Sequence, residues 1–150
     1  MYQNKKWLVF TAVLFLSIFA AIPGANAQYN PEALKYFKSS LQNLTEGEYD
    51  KAIADCNRVL RIDPTSAVTY VVRARAYFEM GEMDRTIADC TQAIKHDKNN
   101  ASAYVIRGNA HAEKSDLDKA IKDWEYALKI NKDIPNAREN IEIAKQHRGF

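Results

Sequence analysis

Acid is missing from the start of this 150-residue chain, whose first carboxylate is Glu32. Cysteine is scarce: two residues exclude a disulfide-dense scaffold. Five Gly and four Pro exclude collagen-like and low-complexity classes. The three histidines, His96, His111 and His147, have no Cys or carboxylate at metal-ligand spacing. An excess of positive charge is also lacking. The 21 Lys+Arg against 19 Asp+Glu leave a net +2, and Lys5 and Lys6 account for all of it. Residues 28–150 therefore carry 19 charges of each sign, and a neutral body lacks the cationic surface that nucleic acid needs. No nucleophile motif, Gly-rich phosphate loop or zinc pattern is present. No catalytic residue, cofactor or metal is expected, and the chain reads as a non-enzyme.

What is there begins with a leader. Lys5 and Lys6 form a positive start, residues 7–22 are free of charge, and Pro23-Gly24 breaks the run. Ala25-Asn26-Ala27 supplies the small-x-small pattern that a signal peptidase reads. The charge-free stretch of 16 residues falls short of the ~20 that span a bilayer. Residues 1–27 are expected to be a cleaved signal peptide, leaving Gln28 as the new N-terminus. The mature protein, 28–150, is expected to be exported, periplasmic or secreted, and to meet a membrane only through the leader before cleavage.

The body repeats every 34 residues without a gap, as blocks 33–66, 67–100 and 101–134. Ten positions are identical between the first two blocks and twelve between the last two, where composition alone gives roughly two per pair. Ala33/Ala67/Ala101, Tyr36/Tyr70/Tyr104, Asp50/Asp84/Asp118, Ile53/Ile87/Ile121 and Asp55/Asp89/Asp123 are the same in all three. Within a block the pattern is helical: Tyr70, Ala74 and Tyr77 recur at i, i+4, i+7, and Met83, Ile87, Cys90 and Ile94 do so after a break. Gly47, Gly81 and Ser115 mark the break, and glycine there allows the positive φ of a tight turn. Asp50, Asp84 and Asp118 fall in the first turn of each second helix, where the macrodipole favours an anion. Asn30-Pro31 opens the first helix, Asp63-Pro64 closes the first block, and Ser66 and Asn100 suit N-caps. These signals predict helices over 31–45, 49–62, 66–80, 83–96, 100–114 and 117–130.

A 34-residue helix–turn–helix with Tyr70, Ala74, Tyr77, Gly81, Ile87 and Ala93 in these places resembles the tetratricopeptide repeat. So does Tyr104-Val105-Ile106-Arg107-Gly108 followed by Asp118-Lys119-Ala120-Ile121. The resemblance spans 33–134. It departs at Ser39, Ser40 and Asn43, polar where the first block should pack. Lys98 and Lys132 stand where a block-ending proline is usual, and Thr86 replaces a small Ala. A seventh helix, 135–147, opening at Pro135 with a stripe of Ala137, Ile141 and Ala144, fits as a polar cap with Glu139, Glu142, Lys145 and Arg148 outward. The resemblance implies an all-α, right-handed α-solenoid of three tetratricopeptide helix-turn-helix repeats plus a C-terminal capping helix.

It also implies a concave groove lined by the first helix of each repeat. In this chain that face would carry Leu34, Phe37, Leu41 and Leu44, then Val68, Val71, Arg75 and Phe78, then Ser102, Val105, Asn109 and Ala112. Phe37, Leu41, Val71, Arg75, Phe78, Val105 and Asn109 are the candidate partner-binding residues. Family members that hold acidic C-termini use Lys and Asn at sites occupied here by Phe37, Leu41, Val72, Ser102 and Ile106, so that activity is not implied. An apolar groove suits a protein or peptide with an apolar segment. The expected function is a non-catalytic protein–protein adaptor; the alternative is a self-associating structural protein of the cell envelope, a homo-oligomer. Three packing expectations accompany this. His111, in the column of Tyr77, should pack within its repeat. Asp55 should meet Arg73, and Asp89 Arg107, across successive repeats. Cys56 and Cys90, one repeat apart in one column, should be free buried thiols, because stacked side chains point the same way rather than toward each other.

Overall fold

The computed structural model describes residues 30–148. Among them run seven helices and no strand: α1 Pro31–Thr45, α2 Tyr49–Ile62, α3 Ala67–Glu79, α4 Met83–His96, α5 Ala101–Glu113, α6 Leu117–Ile130 and α7 Ala137–His147. The expected six repeat helices are all present, with α3 and α5 starting one residue later because Ser66 and Asn100 stand outside them as caps. Asn30 and Asn100 accept backbone N–H bonds through their side chains, whereas the Ser66 hydroxyl pairs with Thr69 instead. Gly47 and Gly81 turn each hairpin at φ 77°, and Ser115 takes the same left-handed turn at φ 62°. A side chain there is strained, a local cost that glycine avoids.

The helices pack α1 on α2, α3 on α4 and α5 on α6, and each hairpin stacks on the next. Close approach is built from small residues. Ala52, Ala74, Ala76, Ala93, Ala103, Ala110, Ala120 and Ala127 are fully buried, and the largest side chains buried as completely are only Thr69, Thr86, Cys56, Cys90 and Ser40. Thr86 fits the place of an alanine by donating its hydroxyl to Glu82 O at 3.0 Å, so the polar atom is satisfied. Where the third repeat carries the bulky Trp124 in the cysteine column, the facing position is Gly108; a Cβ there would lie 2.7 Å from Trp124 Nε1. The indole N–H donates to Asn109 Oδ1 at 2.9 Å.

Both ends of the array are polar. On α1, Lys35, Lys38 and Gln42 are exposed, whereas the same columns hold buried Thr69, Val72 and Ala76 in the second repeat and Ala103, Ile106 and Ala110 in the third. At the other end α7 lays Ala137, Ile141 and Ala144 inward, the last two joining Ala120, Ile121 and Trp124 in one cluster, with Glu139, Glu142, Lys145 and Arg148 outward as expected. Pro135 does not start this helix. Asn136 takes the left-handed conformation at φ 61° and α7 begins after it, so proline lies in the preceding turn.

The charge ladder differs from expectation. Arg73 grips Asp89, and Arg107 grips Asp123, each through Nε and Nη2 at 2.7–2.8 Å within one repeat. The two columns are 16 residues apart and face each other across the antiparallel hairpin, where a planar guanidinium meets both carboxylate oxygens. The remaining Nη1 reaches back to the previous repeat, Arg73 to Asn57 and Arg107 to Thr91. Asp55, which has no arginine in its own hairpin column, is instead held by Ser39 Oγ at 2.6 Å, Asn43 Nδ2 at 3.0 Å and Arg58 Nη1 at 3.0 Å. Two polar departures of the first block, Ser39 and Asn43, are thus ligands of its buried acid, and the third, Ser40, donates to Phe37 O at 2.7 Å. Ion pairs from one unit to the next use the other acidic column: Asp84 pairs with Lys114 of the following repeat, and Asp118 with Arg148 at the end of the cap at 2.8 Å.

Cys56 and Cys90 are free and buried. Burial pushes the Cys56 thiol up to about 11 and that of Cys90 to about 12, because a thiolate in an apolar interior loses its hydration. Native protein at pH 8 should therefore resist a thiol reagent, and unfolded, unreduced protein should titrate two groups. Two reactive thiols in the folded state would contradict the packing.

Candidate partner-binding groove

The first helices touch in order, α1 on α3 and α3 on α5, so their outward residues form one continuous face. Along it apolar side chains stay in solvent: Leu34 is 48% exposed, Leu41 40% and Val68 51%. Phe37, Leu44, Val71 and Phe78 are half-buried beside them. Single exposed leucines are ordinary on a protein surface, but a run of apolar residues on adjacent helices marks a contact face.

The seven sequence-predicted residues divide by environment. Phe37, Leu41 and Phe78 present apolar surface on α1 and α3. Val71 leans inward against the cluster of Ala74, Cys90 and Ile106, so part of it is core. Arg75 is exposed and donates from Nε to Glu79 Oε1 at 2.7 Å, one turn along the same helix. Val105 is half-buried. Asn109 is half-buried too, but its carbonyl oxygen is already engaged by Trp124. The face therefore grades from apolar on α1 and α3 to mixed on α5, where Ser102 is exposed and Ala112 packs against the C-terminal cluster. Leu34 and Val68, named for this face but outside the seven, are its most exposed apolar members. Among the five positions that hold Lys and Asn in acid-binding family members, Val72 and Ile106 are buried here at 6% and 9% exposure.

Sequence reading missed a second feature, on another side of α5. Tyr104, Arg107 and His111 of α5 and Lys119, Lys122, Asp123 and Tyr126 of α6 line one cleft. His111 is half-buried, and burial lowers its pKa from the ordinary 6.5. It stands between α5 and α6 and borders open space. The available signal was Lys122, standing where the other repeats have Ala54 and Ala88. Among the described residues no group of three or more His, Cys, Asp or Glu side chains could hold a metal ion, and no helix is long and apolar enough to cross a membrane.

A helical hairpin repeated three times, closed by a polar helix and exposing an apolar strip along its first helices, defines a helical-repeat interaction domain. Tetratricopeptide-repeat family models match residues 34–66 and 71–137, two thirds of the chain. The chain belongs to the tetratricopeptide-repeat family. It is similar to the first such domain of Spaghetti (RPAP3) bound to the HSP90 peptide SRMEEVD, with 26% identity and a TM-score of 0.77, covering 79% of this chain and 94% of that one. It is also similar to the second domain of human RPAP3 in complex with the HSP70 peptide SGPTIEEVD, with 27% identity and a TM-score of 0.72 over 76% and 95%. The Sgt2 domain from Aspergillus fumigatus shares the fold at 22% identity and a TM-score of 0.75, over 80% of this chain and 81% of that one. Comparison with curated proteins gives no match.

Proposed function

We propose that this protein is an exported, non-catalytic adaptor that binds an apolar segment of another protein along the first helices. The observation that carries the reading is the exposed strip of Leu34, Leu41 and Val68 with Phe37 and Phe78 beside it. The peptide-bound relatives support segment binding as the activity of such a domain. Their peptides end in Glu-Glu-Val-Asp, but this chain places Phe37, Leu41, buried Val72, Ser102 and buried Ile106 where acid-binding members have Lys and Asn. A segment with apolar anchors suits the face better than an acidic tail. Self-association through the same strip is the competing occupant, and end-to-end stacking is disfavoured by the exposed lysines of α1.

Crosslinking in the native compartment with mass spectrometry should place a foreign segment against α1 and α3, and the purified protein should have the mass of one chain in solution. A stable dimer crosslinked only to itself through Leu34 or Val68 would replace the adaptor with self-assembly. Buried anchors typically cost more than 1–2 kcal/mol when truncated, so Phe78→Ala should weaken partner binding at least about tenfold with helicity kept. Unchanged affinity for both Phe37→Ala and Phe78→Ala would move the site off this face.

Export rests on residues 1–27, which lie outside the described residues. Protein recovered from the envelope or medium should start at Gln28. A mature chain that keeps Met1 to Ala27 would overturn this part of the reading.

A further inference from the structure

The three repeats act as controls for one another, and the third departs from the second around the column of His111. In the second repeat the column of His111 holds Tyr77, and Arg85 lies over its ring with Cζ 5.4 Å from the centroid. In the third repeat the smaller imidazole stands there, and a cleft of about 470 Å³ lies between α5 and α6, within the size range of small-molecule sites. Two further changes surround it. Lys122 replaces Ala54 and Ala88, and Tyr126 replaces Arg58 and Gln92.

One wall is rigid. Tyr104 and Tyr126 stack at 5.4 Å with planes 9° apart, Arg107 lies over Tyr104 and Lys129 over Tyr126. Tyr126 remains 44% exposed, so its ring offers surface and a hydroxyl to a ligand. The floor is charged but internally satisfied, because Asp123 takes both of its bonds from Arg107. The only flat, bidentate carboxylate receptor in the cleft is therefore already filled. Lys122 is exposed and forms no ion pair among the described residues. Lys119 pairs with Asp116 at the surface at 2.6 Å, a contact of little strength that a stronger anion can displace. Burial lowers the His111 pKa and so favours the neutral imidazole, which offers one N–H.

We propose that this cleft binds the phosphate group of a small phosphate monoester. Lys119 and Lys122 from α6 and His111 from α5 are donors approaching from two helices, which matches the spread oxygens of a tetrahedral dianion better than the plane of a carboxylate. The cleft's size leaves room for the esterified body against Tyr126. The site stands apart from the apolar strip on the first helices and does not depend on it.

The second repeat supplies the test variants, each a residue that this fold already accommodates in the same column. Isothermal titration of the purified protein with phenyl phosphate should show saturable 1:1 binding, tighter than with inorganic phosphate. Lys122→Ala should weaken it by removing the unpaired charge, and His111→Tyr should weaken it by putting a larger ring in the cleft with both lysines kept; a loss of at least about tenfold is expected in each. Circular dichroism and melting should stay as in the parent protein. Absence of saturable binding, or binding unchanged in His111→Tyr, would overturn the site. Equal affinity for the ester and inorganic phosphate would overturn the assignment to an ester.

Discussion

Gly108→Ala should destabilise the protein by about 1–3 kcal/mol, the usual cost of forcing extra volume into a packed core. Elsewhere in a helix the same change is favourable by about 1 kcal/mol, because alanine is the better helix former. The new Cβ would stand 2.7 Å from Trp124 Nε1 and 2.8 Å from its Cδ1, and the indole cannot yield freely because Asn109 holds its N–H. The second repeat shows the alternative solution, with Ala74 facing Cys90 in the same pair of columns. Trp124→Cys alone should cost about 3–5 kcal/mol, as for other large core truncations. In that background the sign should reverse, and Gly108→Ala should stabilise by filling vacated space. Urea unfolding of the four variants measures the coupling. An equal cost of Gly108→Ala in both backgrounds would show that the two residues do not form a matched pair.

Asp89→Ala should cost about 3 kcal/mol, near the lower end for breaking a buried ion pair. Asp89 is 5% exposed and receives both bonds of the Arg73 fork, so its loss strands a guanidinium whose side chain is 18% exposed with Asn57 as its remaining hydrogen-bond partner. The bond to Asp89 also raises the Arg73 pKa, which keeps the cation fully charged at any working pH. Asp55→Ala should be milder. Its partners are two neutral side chains and Arg58, 47% exposed, whose charge can return to water. Replacing the pair together, Arg73→Met with Asp89→Leu, should recover most of the loss, because no uncompensated charge remains. Thermal melts should rank Asp89→Ala below Asp55→Ala and below the double variant. A double variant as unstable as Asp89→Ala would mean that hairpin geometry, rather than the stranded charge, sets the cost.

The repeat was legible because its signals are local. Tyr70, Ala74 and Tyr77 mark a helix by their spacing alone, Gly81 permits a turn by lacking a Cβ, and the 34-residue period states how many hairpins follow. Alanine columns indicate which faces approach closely. The apolar face of the first helices was legible in part: helical spacing placed Leu41 and Phe78 on one side of their helices, but it could not tell that Val71 shares itself with the core or that Trp124 already occupies Asn109.

Pairing across elements was decided by tertiary structure. Recurrent Asp and Arg columns allow two schemes, and the choice between them depends on which helix faces which. The antiparallel hairpin brings Arg73 and Asp89 opposite each other, and the same geometry in the first repeat brings Asp55 to Ser39 and Asn43. The same holds for the match of Gly108 to Trp124 and for the opening beside Lys122. Each depends on volumes and directions contributed by two helices at once, whereas a sequence pattern reports the periodicity of one helix at a time.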